Sequence, residues 1–309
     1  MATEPGVCGA CETPLAGRYC HICGQDFQAK PAPLLAMAKE VAASYSLIDG
    51  KLARTLAVLA VRPGRLLEAY RAGAGSLYIT PLKLFVATTA LFLAVLHFSD
   101  TPLYQSTWKV VPGQPVVVTR DPHVGNIVTG AVERLRWLQK RIEPAVDPAV
   151  TLALQQAAAV AKTPAERTSL DALIGSLQTD EKAAKRMSDW LPNLLWLLMP
   201  LYATLLIPLF GRRRLFLEHV IFAMWAHSIS FVLMMIMAGI NSLGADLAPL
   251  LILPYLAYFT VAAARYYEMS PISALWRGAV HLTAYALFVL LPTMLAIMMT
   301  VADWGVILS

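Results

Sequence analysis

The sequence predicts an all-α polytopic membrane protein: five transmembrane helices behind a small N-terminal four-cysteine module. Three observations carry that prediction. Of 309 residues, 57% are hydrophobic and only 15% charged, whereas soluble domains carry about a quarter charged residues. The apolar residues fall in blocks of roughly 20, the length a helix needs to cross a bilayer. All four cysteines lie in two Cys-x-x-Cys pairs before residue 24, so disulfide stapling of the bulk is excluded.

The predicted spans are 81–98, 190–210, 215–239, 247–264 and 279–301. Prolines inside them (Pro200, Pro208, Pro249, Pro254, Pro292) predict kinks that neighbouring helices must satisfy. Ahead of the first span, residues 28–80 read as short helices: Leu34–Ser46, Lys51–Val61, and Pro63–Arg71 ending at Gly73. Ala57, Val58, Val61, Leu66, Leu67 and Tyr70 give them apolar faces beside Lys51, Arg54, Arg62, Arg65 and Arg71. Such helices lie on a membrane surface or pack on one another as a soluble hairpin.

Residues 99–189 form one long polar insertion, with 11 Lys/Arg against 10 Asp/Glu. A strand pair is predicted over Trp108–Val111 and Pro115–Arg120, turning at Pro112-Gly113. Helices are predicted over Val124–Ile142, Val150–Ala161 and Pro164–Met187. Thr163-Pro164-Ala165-Glu166 reads as the start of the last, with the hydroxyl at the N-cap and the acid three residues on. The insertion carries no catalytic motif and reads as a helical spacer or docking domain.

The short loops set the orientation. Arg212, Arg213 and Arg214 join spans two and three, and residues 265–277 between spans four and five are also basic. The turn 241–246 and the tail 302–309 hold no Lys or Arg. A cytoplasmic N-terminus and an extracytoplasmic C-terminus satisfy all four segments. The net charge of +5 then reads first as loop charge facing anionic lipid, and nucleic acid is not an expected partner.

Cys8-x-x-Cys11 and Cys20-x-x-Cys23, eight residues apart, have the spacing of a tetrahedral four-thiolate site. One structural zinc ion is the expected occupant; iron in a rubredoxin-like site and a redox dithiol are the alternatives. A reducing cytoplasm disfavours two disulfides. His21 is expected to face solvent. A closed site of four cysteine ligands folds its module rather than catalysing.

Tyr19-Cys20-His21-Ile22-Cys23-Gly24-Gln25, with Arg54-Thr55, Arg62-Pro63-Gly64 and Tyr78-x-x-Pro81-x-Lys83, resembles a family of bacterial inner-membrane proteins. That family is known as a domain of unknown function with an N-terminal zinc ribbon. The Glu218-His219 pair, His227, and Arg265-Tyr266-Tyr267 look like the same pattern. The resemblance implies a multi-pass protein of the inner membrane, with residues 1–27 as a cytoplasmic zinc-ribbon-like module. It implies no chemistry.

The third span carries Glu218, His219 and His227, and ionisable groups at such depth normally face a bundle interior or a cavity. His219 and His227 are eight residues apart, about 12 Å along a helix, too far to share one metal ion. Depth along the spans puts Glu218, His219, His281 and Glu268 in one layer near the cytoplasmic face, with His227 near the midplane beside Tyr202. Three readings compete: mutual satisfaction at the interface, a proton-linked or ion-binding site, and a metal or haem-type site. No nucleotide-binding loop or hydrolase elbow occurs. The expected function is a non-enzymatic interaction or regulatory protein, with one protein partner at the zinc module and another at 99–189. The alternative is a small transporter or proton-coupled channel.

Overall fold

The structure, a computed structural model, describes residues 6–8, 11–26, 50–62, 64–71, 77–121, 125–211, 214–244 and 248–301. The helix expected over Leu34–Ser46, the stop at Gly73, His123, Arg212, Arg213 and the tail 302–309 lie outside them. The chain divides into two compact units. One comprises Met1–Ala94, Pro192–Ile236 and Pro249–Leu291; the other comprises Val95–Leu191, Met237–Ala248 and Pro292–Ser309.

In the first unit, helix α1 (Gly50–Val61) and helix α2 (Arg65–Arg71) lead to α3 (Pro81–Phe98). Gly64 makes the elbow before α2. Its φ is +83°, and a Cβ there would stand 3.1 Å from Arg265 Cδ and 3.3 Å from the Cα of Ala262, so only glycine fits without strain. Thr55 is fully buried. It donates to the Lys51 carbonyl at 2.6 Å and accepts from the Ile79 amide at 3.1 Å, tying α1 to the start of α3. Leu59, Leu66, Leu67 and Tyr70 are buried too. The apolar face of α2 is therefore covered by protein, whereas Val61 at the end of α1 stands 76% exposed.

Three helices are long and apolar enough to cross a membrane: α3, α6 (Phe216–Ser242), and the run Pro271–Ile297. Two of the five expected spans are shorter than a crossing helix among the described residues. The apolar part of α5 (Pro164–Phe210) is Leu197–Phe210. Helix α7 (Ile252–Tyr266) has 15 residues, because Pro249 sits in a 3-10 turn, Ala248–Leu251, that delays its start. Of the long helices, α6 is the central one: 67% of its apolar window is buried, against 22% for Pro271–Ile297.

The fifth expected span begins earlier than 279. Ser270 caps α8 (Pro271–Tyr285), its hydroxyl accepting from the Ser273 amide at 3.3 Å, and Pro271 supplies the first turn. A π turn, Ala286–Leu290, then joins α8 to α9 (Leu291–Val301). It falls just before Pro292, which has no N–H to continue the ladder; a widened turn accommodates that loss.

The second unit corrects the all-α expectation. Residues 104–137 form four strands: β1 (Tyr104–Val110), β2 (Val117–Asp121), β3 (Gly125–Thr129) and β4 (Ala131–Trp137). The strands predicted around Trp108 and Val118 exist, but they do not pair with each other. β1 pairs antiparallel with β4, Tyr104 opposite Trp137, and β2 with β3, Val117 opposite Thr129. The helix predicted over Val124–Ile142 is therefore β3 and β4. Its Val and Ile content and its alternation, Leu135 and Trp137 against Arg134 and Arg136, suit a pleated surface better than a helix. Gly130 (φ +77°) lies between the two ladders, and a Cβ there would reach within 2.0 Å of the Pro115 carbonyl oxygen.

Helix α4 (Pro148–Val160) is capped by Asp147, which accepts from the Ala149 amide at 3.0 Å. It packs Val150 and Leu154 against Leu170 of α5 and against Trp108, Val118 and Val128 of the strands. Thr163 accepts from the Glu166 amide at 3.2 Å, the predicted cap of α5. Instead of stopping at Met187, that helix runs unbroken for 47 residues. In the same unit, Asn241 at the end of α6 donates to the carbonyls of Trp137 and Leu138.

Candidate metal centre and buried polar residues

The four-cysteine module is built from one turn used twice. In the first half the Cys8 amide donates to the Thr13 carbonyl at 2.8 Å and the Glu12 amide to the Cys8 carbonyl at 2.9 Å. In the second the Cys20 amide donates to the Gln25 carbonyl and the Gly24 amide to the Cys20 carbonyl, both at 2.8 Å. Each turn is flanked by an antiparallel bridge, Val7 to Pro14 and Tyr19 to Asp26. Each passes through a residue of positive φ, Glu12 at 64° and Gly24 at 71°. The first cysteine of each pair is buried and the second half-buried.

This double turn brings all four sulfurs within 4.8 Å of one another. The Cys8–Cys23 and Cys11–Cys20 Sγ distances are 3.6 and 3.5 Å. A tetrahedron with metal–sulfur bonds of about 2.3 Å has edges of about 3.8 Å, so the donor set fits a tetrahedral, thiophilic ion. The sulfurs are not bonded to one another. Without a metal the thiols are unlike. The Thr13 hydroxyl chiefly lowers Cys11 to about 6, while burial chiefly pushes Cys23 up to about 12. A cation would bring all four to the thiolate form.

His21 is exposed, as expected. Arg18 is held by Asp26 at 2.8 Å and lies over the Tyr19 ring. Tyr19 and Ile22 stand 60% and 67% exposed on the second turn. Glu12 of the first turn reaches Arg65 of α2 at 3.2 Å. Nothing in the sequence hinted at this pairing, since the proximity exists only once α2 is folded.

The polar residues of α6 separate into two groups. Glu218 accepts from the Leu215 amide at 3.0 Å and pairs with Arg214 at 3.4 Å. Arg214 also comes within 3.9 Å of Glu268. His219 is fully buried, with Nδ1 3.0 Å from the Tyr267 hydroxyl and Nε2 3.2 Å from the Gly211 carbonyl. Glu218, His219 and Glu268 thus form the expected layer, satisfied by one arginine, one tyrosine and backbone.

His281 does not join that layer. It belongs with His227, because α8 starts at Pro271 and carries His281 almost three turns along. Tyr202 of α5 lies against both rings, with centroids 4.9 Å from His227 and 4.3 Å from His281, each edge to face. The Tyr202 hydroxyl bonds that of Tyr255 at 3.0 Å, a partner that the sequence did not suggest. His227 Nδ1 donates to the Ala223 carbonyl at 2.8 Å, leaving Nε2 with the lone pair. His281 is fully buried between Phe259 and Tyr285. Neither ring nitrogen makes a hydrogen bond of full geometry among the described residues, but the Leu205 backbone carbonyl approaches the ring as an acceptor. Gly278 admits the Phe259 ring, whose edge would stand 2.9 Å from a Cβ there.

A family described as "Protein of unknown function (DUF3667)" matches residues 49–93. The matched stretch contains Thr55, Gly64 and Tyr78. Thr55 ties α1 to α3, Gly64 seats the elbow on α7, and Tyr78 is buried. No curated protein matches the chain. No solved structure matches it either.

Proposed function

We propose that the chain is a multi-pass membrane protein without enzymatic activity, a scaffold or regulator. Its cytoplasmic module holds one structural zinc ion and presents a protein-binding surface. The observation that carries this reading is the double turn: four sulfurs at tetrahedral spacing, closed by four protein ligands, with no position left for a substrate. Exposed Tyr19 and Ile22 favour a protein partner there, since aromatic and aliphatic anchors on a rigid turn are the usual core of a contact. The strand and helix unit within 99–189 is the corresponding site on the extracytoplasmic side.

The membrane topology we favour has five spans with the N-terminus cytoplasmic, in a bacterial inner membrane. Leu197–Phe210 and α7 are the short crossings. In their support, Leu197, Leu201, Leu253 and Val261 are large apolar residues of these two helices left exposed by the fold. An apolar surface of this extent suits lipid rather than water.

Elemental analysis of the purified protein tests the zinc assignment. About one zinc per chain is expected, and about none in Cys8→Ser/Cys11→Ser. Zinc absent from the parent protein, or iron in its place, would sink the assignment. Crosslinking in cells tests the partner surface, with Tyr19→Ala/Ile22→Ala expected to lose a crosslinked product that Arg134→Ala keeps.

A second reading rests on His281. A buried imidazole with no side-chain hydrogen bond among the described residues, beside His227 and Tyr202, favours a proton-coupled path through the bundle. Flux measured in proteoliposomes decides between the two. Proton uptake that vanishes in His227→Ala and His281→Ala supports the path, and none in the parent protein supports the scaffold.

A further inference from the structure

The second unit contains a cationic cleft that neither the metal centre nor the histidine cluster uses. Lys182, Lys185, Arg186 and Asp189 of α5, with Thr300 of α9, line a cavity of about 440 Å³. The four α5 residues follow helical spacing and share one face. On another face of the same turn, Ala183 is fully buried and holds the helix against the protein. Three cations stand there against one carboxylate. None of the three makes an ion pair among the described residues.

The position of the cleft identifies what it fits. It lies where α5 changes from charged to apolar sequence, at Asp189-Trp190-Leu191. The Arg186 guanidinium lies 5.8 Å from the Trp190 ring centroid, and Trp is the residue that marks a membrane–water boundary. Thr300, from the last turn of α9, supplies a hydroxyl at the same level. Further back along that helix, Met299 and Leu295 are 55% and 56% exposed. They lie about 100° and 140° around the helix from Thr300, and so form an apolar flank beside the cleft. A phosphate among cations with an exposed apolar flank beside it is the chemistry of an anionic phospholipid: headgroup in the cleft, acyl chain along the helix.

We infer that the Lys182–Arg186 cleft binds the phosphate of an anionic phospholipid in the leaflet on the side of the insertion. The inference rests on the membrane reading above. Free phosphate offers the same anion without the chain, so the test separates the two.

The full-length protein is reconstituted into vesicles of phosphatidylcholine with an equal share of phosphatidylglycerol. Retained lipid is then counted by native mass spectrometry. Phosphatidylglycerol is expected to be retained in preference. Each neutralisation in Lys182→Gln, Lys185→Gln and Arg186→Gln is expected to weaken that preference about fivefold. Asp189→Asn removes the one anion and is expected to strengthen it, which keeps the test decisive if a cation variant folds poorly. Equal retention of the two lipids by the parent protein would overturn the proposal. So would a preference unmoved in both Arg186→Gln and Asp189→Asn. Displacement of phosphatidylglycerol by millimolar inorganic phosphate would assign the cleft to the free ion instead and overturn the lipid assignment. Failure to enter vesicles at all would count against the membrane reading, a result distinct from failure of the site.

Discussion

Glu12 and Gly24 hold the same place in two copies of one turn, twelve residues apart, with φ of 64° and 71°. Glycine takes that conformation freely, and glutamate takes it at a cost of about 1 kcal/mol. The second turn is thus relaxed and the first strained, and the strained residue is the one that reaches Arg65.

Zinc affinity should respond to that difference. Gly24→Ala is expected to weaken zinc binding about fivefold in a chelator competition, corresponding to about 1 kcal/mol of added strain. Glu12→Gly is expected to bind zinc at least as tightly as the parent. Equal weakening by both substitutions would mean that the conformation is not what matters.

The His219 network predicts a folding cost. His219→Ala leaves the Gly211 carbonyl and the Tyr267 hydroxyl without their buried partner. A loss of about 1–3 kcal/mol follows, read as a lower midpoint of thermal unfolding in detergent. Tyr267→Phe, which removes one of the two bonds, should cost less.

His281 should behave in the opposite sense. Its ring makes no side-chain hydrogen bond among the described residues and only a weak approach to the Leu205 backbone, so exchanging it for a ring of similar shape loses little. His281→Phe is expected to keep the melting temperature or raise it. His281→Ala opens a cavity beside Phe259 and Tyr202 and is expected to cost about 2 kcal/mol or more. A Phe variant as damaged as the Ala variant would point to a polar partner for the imidazole.

Gly130 offers the sharpest test of the strand unit. A Cβ placed 2.0 Å from the Pro115 carbonyl cannot be relieved by a side-chain rotation, and the φ of +77° adds its own strain. Gly130→Val should disorder the junction of the two ladders, seen as faster proteolysis within 104–137. Gly175→Ala, inside helix α5 with open space around it, is the control and should not speed proteolysis.

What the sequence made legible follows the range of the signal. The cluster of four cysteines was readable because they are close in the chain, and Cys-x-x-Cys spacing encodes the turn geometry directly. The capped start of α5 was readable for the same reason. The apolar blocks gave α3 and α6 nearly whole. The ladders were not readable, because Tyr104 meets Trp137 across 33 residues and no local pattern names its partner. His281 was grouped with Glu218 by an error of boundary: a helix expected to begin at 279 begins at Pro271, which puts the residue almost three turns along it. Tyr255 was invisible because its role depends on where α5 and α7 come together.

The two halves of the metal module face different directions. The first is fastened outward, from Glu12 to the base of α2, whose elbow at Gly64 is seated on α7. The second closes on itself through Arg18 and Asp26 and carries Tyr19 and Ile22 on its surface. A metal ion joining the halves would make one body of them, so removing it would loosen the exposed turn together with the fold of the module.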